Sequence, residues 1–380
     1  MGPRGVDTSV AETDDINKII ISGGGCNHMA TAQVSSGVTT RPSRQLTLPV
    51  TLPTMPVPRK LSPGQIVEGS LAIVSGTPIG TSNAHIAMPS VGTAPVNWNN
   101  DDLPNWAPLV PIERVLDEMA AAGYAGTEYG NGFPTDVDEL RSALSRRDLA
   151  LSGAYQWLDF LDEDRLELQR PRLDRTLDLL SWVGCEHLIV ASSMTPDRIA
   201  LAGHVPSDGS AGLDDTGWLT LARNLASVAE QATAHGLRTH YHNHVGTHIE
   251  TPDEVDRLLE VTGGTAVDLC FDTGHYAYGG GDPTAFVMAR TNRIGYLHLK
   301  DVDHATLATA RDLSWSFLDA LRHCIFCEFG EGMVDLPAIT TSLRQVGFAG
   351  WVVVEQDTSR RRSLEGAEAS RRFLREQCGI

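Results

Sequence analysis

No run of about 18 apolar residues occurs in this chain, so it offers no sequence for a membrane-crossing helix. The first residues, MGPRGVDTSVAETDD, lack the apolar core of a signal peptide, which makes the cytoplasm the expected compartment. Cysteine is scarce. Six in 380 residues make no disulfide framework. Cys270 lies inside an apolar run and reads as core, while Cys324 and Cys327 form a lone CxxC with no second pair to complete a zinc site. Positive charge is in deficit. Thirty Lys and Arg stand against 48 Asp and Glu, a net charge of −18, which argues against nucleic acid and anionic membranes as partners. With 41% apolar and 21% charged residues, the composition is that of an ordinary soluble globular protein.

Regular patterning is also missing from the start of the chain. Residues 1–87 are rich in Ser, Thr, Gly and Pro, and punctuation breaks nearly every candidate element. The composition predicts a largely disordered, low-complexity or weakly ordered extension; a small β-rich appendage on Ile66 to Val74 is the rival expectation. From residue 88 to 380 the pattern changes. Strands are expected at Val91–Trp98, Tyr124–Tyr129, Leu149–Tyr155, His187–Ala191, Leu237–Tyr241, Ala266–Phe271, Ile294–Leu299 and Trp351–Glu355. Between them, helical spacing predicts helices near Ile112–Met119, Val137–Arg147, Leu173–Val183, Trp218–His235, Pro252–Val261, Pro283–Ala289 and Leu336–Val346. Every strand but the last precedes a helix. No GxGxxG follows the first strand, which weighs against an open dinucleotide-binding sheet. The fold class is therefore α/β, a (β/α)8 TIM barrel of the usual size, about 250 residues or a little more.

Polar motifs sit at the ends of the last four strands: His242-Asn243-His244, Asp272 to His275, His298 to Asp301, and Glu355 to Asp357. A barrel gathers strand ends at one rim, where catalytic groups sit. Each residue also has a plainer reading. Asp272 suits the N-cap of the next helix. His298 could be a hydrogen-bonded core histidine. Lys300 could be ion-paired to Asp301 or Asp272. Glu355, after three valines, is the hardest to explain away, because a buried unpaired carboxylate is costly. Together, Asp272, His298, Glu355 and one of His242 or His244 make a site for Mn²⁺, Co²⁺, Mg²⁺ or Zn²⁺, with the other histidine facing substrate or supporting the ligands. Lys300 and His275 are candidates for proton transfer. Trp98, Asn99 and Asp101 in a polar loop, with Glu128 and Gln156 on early strands, are candidate substrate contacts.

These residues resemble the xylose-isomerase-like barrel superfamily of sugar isomerases, epimerases and dehydratases, and within it the inosose dehydratases. The segments that carry the resemblance are APVNWNNDDLP (Ala94 to Pro104), GTEYGNGFP (Gly126 to Pro134), YHNHVGTHIE (Tyr241 to Glu250), DTGHYAYGGGDP (Asp272 to Pro283), HLKDV (His298 to Val302), FGEGMVDL (Phe329 to Leu336) and GWVVVEQD (Gly350 to Asp357). The resemblance implies metal ligands at His242, Asp272, His298 and Glu355, with His244 the alternative to His242. It implies Mn²⁺ or Co²⁺ before Mg²⁺ or Zn²⁺, and a homodimer. The implied reaction is metal-dependent dehydration of 2-keto-myo-inositol through an enediolate in inositol catabolism, with Lys300, His275 and Glu355 as candidates for its two proton transfers. The same chemistry would serve a keto-sugar isomerase or 3-epimerase. A sugar-binding barrel without turnover is the non-enzymatic reading. The chain departs from the family in having His, not Glu, at the first ligand position.

Overall fold

The computed structural model describes residues 88–103 and 105–380. The expectations for residues 1–87, including the Ile66 to Val74 appendage, lie outside the described residues. Eight parallel strands close a barrel: β1 Ser90–Thr93, β2 Gly126–Tyr129, β3 Ala150–Leu158, β4 His187–Ser192, β5 Arg238–His242, β6 Val267–Asp272, β7 Ile294–Leu299 and β8 Trp351–Val354, with β8 pairing back onto β1. The expected barrel is therefore present. The main core lies between the strands and the outer helices. A smaller apolar layer of Ala94, Ile189, Cys270, Tyr296 and Val353 plugs the lumen beneath the site.

Local chemistry explains the helix boundaries. Helix Ile112–Ala122 follows Pro111, buries Val115, Leu116, Met119 and Ala122, and stops at Gly123 in the left-handed region (φ 86°). Helix Pro252–Val261 opens with a capping box between Thr251 and Glu254. Side chains of Asp136, Asp214, Asp282 and Asp335 cap other first turns.

Several expected boundaries shift. β1 ends at Thr93, not Trp98, because Pro95 has no N–H for the ladder and opens a 3-10 turn, Pro95–Asn97. β3 runs on past Tyr155 to Leu158. The helix expected from Leu173 starts at Glu163 and keeps Pro171 inside it. An interior proline costs about 3 kcal/mol, which the buried Leu166, Leu173 and Leu177 offset. After β7 the chain adds helices His304–Asp312 and Phe317–Arg322 within a two-stranded ribbon, Asp301–Val302 with Phe326–Cys327. The last strand also has a helix after it, Ser363–Phe373, tied to the first helical layer by the Tyr124 hydroxyl donating to Ala367 O at 3.0 Å. Both CxxC cysteines are free thiols, Cys327 within the ribbon.

Candidate active site

Four strand ends build the site, and the motifs hold one another. Asn243 pairs both backbone groups of Asp272: its Nδ2 donates to Asp272 O at 3.1 Å, and its Oδ1 accepts from Asp272 N at 2.9 Å. The Thr273 hydroxyl does the same for Lys300, donating to its O at 2.8 Å and accepting from its N at 2.9 Å. Gly274 leaves room for the lysine stem, since a Cβ there would stand 2.6 Å from Lys300 Cβ. Asp272 has two roles at once. Its Oδ1 accepts from His275 N at 2.7 Å as a helix cap, and its Oδ2 is buried with no hydrogen-bond partner. The cap and ligand readings are thus compatible.

His298 shows the same division. Its Nε2 lies 2.7 Å from Glu128 Oε1, so the N–H donates there and Nδ1 is left without a hydrogen bond. That Nδ1 faces Glu355 Oε2 at 3.3 Å and Asp272 Oδ2 at 4.0 Å. Ligands held at about 2.1 Å by one octahedral ion stand about 3.0 Å apart when adjacent and about 4.2 Å when opposite. The observed separations fall between those limits, and an imidazole with two carboxylates is a donor set for a divalent cation. The residues therefore fit the metal. His242 lies beside them, its ring 4.8 Å from that of His298 and its Nδ1 3.7 Å from Cys270 Sγ. His242, Cys270 and His298 offer atoms within 4.8 Å of one another, as do Glu128, His298 and Glu355.

Lys300 is the cation among these groups. Its Nζ lies 2.9 Å from Asp357 Oδ1, 3.1 Å from Glu355 Oε2 and 3.6 Å from Asp272 Oδ2. Burial opposes its charge, yet Asp357, Asp272 and Glu355 hold it well above the usual lysine value. It makes no ion pair with Asp301, whose carboxylate accepts instead from the backbone N–H groups of Val302, Gly330, Gly332 and Val334. Burial raises Asp272 to about 6 against the pull of Lys300. Glu355 goes the other way: burial opposes its charge, but His298 and Lys300 hold it well below the carboxylate range. For His298, burial is outweighed by Cys270, Glu355 and Glu128, and the ring is pushed well above the usual value. A thiol itself raised by burial to about 12 is neutral, so the carboxylates are the real cause. A cation bound among them would take the place of that proton.

His275 meets Lys300 Nζ through Nε2 at 3.1 Å, and its ring packs on His244 at 3.8 Å between centroids, tilted by 37°. Burial holds His242 and His275 well below the usual imidazole value and His244 at about 3. The loop carrying His244 is clasped from behind. Arg198 donates to both oxygens of Glu254 at 2.8 and 2.9 Å, and Glu250 accepts from Gly203 N at 2.7 Å and Gly246 N at 2.8 Å. Sequence reading missed this buried trio.

The expected substrate contacts divide. Glu128 and His244 lie within the site. Trp98 is buried, and its indole N–H donates to Glu118 at 2.7 Å. Asn99 exchanges two hydrogen bonds with the Val110 backbone, at 2.9 and 2.8 Å. Both residues hold the first loop together rather than facing the lumen. Asp101 is exposed and accepts from Asn131 at 2.8 Å. Gln156 is on the wrong face of β3. Its neighbours Tyr155 and Trp157 turn their rings edge-on to His242 and His244, at 5.3 and 4.8 Å, so Gln156 points away from them. Sequence reading left out Tyr155, and it placed Asp102 and Asp357 only as members of the first polar loop and the strand-eight motif, with no role of their own.

A model of the xylose isomerase-like TIM barrel family matches residues 116–377. The chain belongs to that family. It is 36% identical over 263 residues to the rhizopine catabolism protein MocC of Rhizobium meliloti, covering 69% of this chain and 80% of that one. It is 32% identical over 295 residues to the inosose dehydratase of Geobacillus thermodenitrificans, covering 76% of this chain and 97% of that one. Among solved structures it resembles the apo 3-keto-D-glucoside 4-epimerase YcjR of E. coli, with a TM-score of 0.57, 18% identity, and 76% and 99% of the two chains covered. It also resembles the IOLI protein with a bound zinc atom, with a TM-score of 0.57 at 13% identity, covering 76% of this chain and 98% of that one. At such identities these two speak for the fold alone. The family member described here is an enzyme of the inosose dehydratase-like, hydro-lyase kind. Among the described residues no helix is long and apolar enough to cross a membrane.

Proposed function

We propose that this enzyme removes water from a cyclic keto-polyol, with 2-keto-myo-inositol as the substrate and a trihydroxycyclohexane-dione as the product. The observation that carries the reading is the trio of buried donor atoms, His298 Nδ1, Asp272 Oδ2 and Glu355 Oε2, beside the ammonium of Lys300. Similarity to inosose dehydratases supports the choice of reaction. His242, Asp272, His298 and Glu355 would hold a divalent cation, Mn²⁺ or Co²⁺ before Mg²⁺ or Zn²⁺, which supplies Lewis acidity at a carbonyl and its neighbouring hydroxyl.

The chain's own groups do the rest. Glu128 keeps the His298 ring in one tautomer and orientation. His275 and Lys300, in contact at 3.1 Å, would carry the two proton transfers between them. One proton leaves the carbon beside the ketone, which gives an enediolate, and one is passed to the β-hydroxyl as it departs as water. The Nζ to Nε2 contact resets the pair, so only water is lost. Tyr155 and Trp157 wall the site on the β3 side.

The test is turnover of 2-keto-myo-inositol with added Mn²⁺ or Co²⁺, following the absorbance of the dione. A metal-dependent rise that a chelator abolishes is expected. Full activity without metal would overturn the metal reading. A product of unchanged mass would move the enzyme to keto-sugar isomerisation or 3-epimerisation.

A further inference from the structure

The wall of the site away from the cation donors carries polar atoms that nothing in the protein satisfies. Asp357 uses Oδ1 on Lys300, but its Oδ2 is buried without a hydrogen-bond partner. The Tyr155 hydroxyl is buried and unpartnered as well. Leaving such atoms unmade costs more than an ordinary hydrogen bond contributes, so each calls for an explanation. The third member comes from the first loop. Asn100 accepts from Asp102 N at 2.7 Å and donates to Asp357 O at 2.6 Å, which stitches the Asp102 turn to the end of β8. Among the described residues the Asp102 carboxylate has neither an ion pair nor a hydrogen bond of its own. The half-buried Asp102 side chain is raised to about 7, by burial first and then by the charge of Asp357. The Tyr155 hydroxyl in turn is raised by burial and then by Asp102. The Asn100 bridge puts Asp102 beside Asp357 at the end of β8, and Tyr155 stands on the β3 wall of the same lumen, its ring edge-on to His242 at 5.3 Å.

We infer that Asp102, Asp357 and Tyr155 form a hydroxyl-binding subsite for the part of a cyclic polyol remote from its carbonyl. This rests on the proposed reaction and adds to it the groups that recognise the ring. Carboxylates only accept, and ring hydroxyls donate. Two acceptors held side by side suit neighbouring hydroxyls, with the tyrosine hydroxyl free to give or take a third bond. No cation is spare there, because Lys300 is shared among three carboxylates. The subsite thus selects an uncharged ring over a phosphorylated or carboxylated one. Asp101, one residue earlier, is excluded by its outward bond to Asn131.

Calorimetric binding of myo-inositol, an unreactive ring, to the metal-loaded enzyme tests this without turnover. Above about pH 8, where Asp102 is ionised, Asp102→Asn is expected to weaken binding by about tenfold or more, as for a hydrogen bond to a charged group, and Tyr155→Phe by severalfold. In both variants KM for the keto substrate should rise more than kcat falls. A ring analogue lacking the remote hydroxyls should bind wild type and Asp102→Asn alike. Equal myo-inositol affinity in wild type and Asp102→Asn overturns the subsite. Failure of wild type to bind any cyclic polyol would instead overturn the proposed reaction.

Discussion

Two groups of buried imidazoles lie in the same barrel lumen, and they differ in what surrounds them. Near the bottom, His187 Nδ1 and His240 Nε2 share one hydrogen bond of 2.9 Å, and the Tyr296 hydroxyl donates to Ser152 Oγ at 2.9 Å. The rings pack on Tyr296, with centroids 5.5 and 5.8 Å away. Burial holds His187 at about 4 and His240 well below the usual value. Near the top, His298 is surrounded by Glu128, Glu355 and Asp272, and its value moves up instead. Both groups contain an unpartnered ring nitrogen, His240 Nδ1 below and His298 Nδ1 above. The two orphan nitrogens differ in one respect: carboxylates converge on the upper one, which is what the proposed cation would need.

The largest effect should come from removing one of those carboxylates. Asp272→Ala or Glu355→Ala is expected to cost more than about 100-fold in turnover, beyond the loss typical of an outer partner, with metal content falling in parallel. His240→Asn should leave metal content and turnover at wild-type levels. Equal losses from both would dissolve the contrast between the two groups.

A smaller effect is expected at Glu128, which orients His298 from its far side. Glu128→Gln keeps the shape but loses the charge, and metal affinity should fall by about 10- to 100-fold. Titration with Mn²⁺ or Zn²⁺ reads this directly. An unchanged affinity would show that the His298 tautomer is set elsewhere.

The third effect is on stability and belongs to the lower group. The His187 value in the folded protein is about 4, against 6.5 unperturbed. Between those values the unfolded chain binds the extra proton, so stability falls as pH drops from 6.5 towards 4. The loss is on the order of 3 kcal/mol for this residue. His187→Gln removes the titration, so its unfolding midpoint in urea should depend less on pH over that window. An unchanged slope would assign the acid sensitivity to other groups.

Much of this was legible in the chain. Strand–helix alternation gave the barrel because each strand run is apolar and each helix has a buried stripe. Asp272, His298 and Glu355 could be grouped as candidates because each ends such a run, while the choice of His242 over His244 came from the family resemblance. Direction was harder. Gln156 was misread because β3 continues to Leu158, and parity counted from Tyr155 as a strand end says nothing about which side faces the lumen. The first loop has no periodicity, so nothing in its sequence distinguishes the outward Asp101 from Asp102 or shows that Trp98 would turn to Glu118. The helix through Pro171 was shortened because its first half is charged and its proline looks like a boundary. The Arg198, Glu250 and Glu254 trio joins residues more than 50 apart in sequence, Arg198 to Glu254 being 56. No local pattern announces it.

Register makes the site sensitive to change in length. Val354 lies opposite Leu299, and Glu355 N donates to Leu299 O at 3.0 Å. His298, Lys300, Glu355 and Asp357 thus hang from two adjoining strands, on alternate positions of each. One residue inserted into β8 would turn Gln356 inward and send both carboxylates towards the helices, silencing the enzyme while the barrel still closed. An insertion of two would restore the side but carry both carboxylates about 7 Å along the strand, away from His298 and Lys300. The stretch is therefore fixed in length as well as in parity.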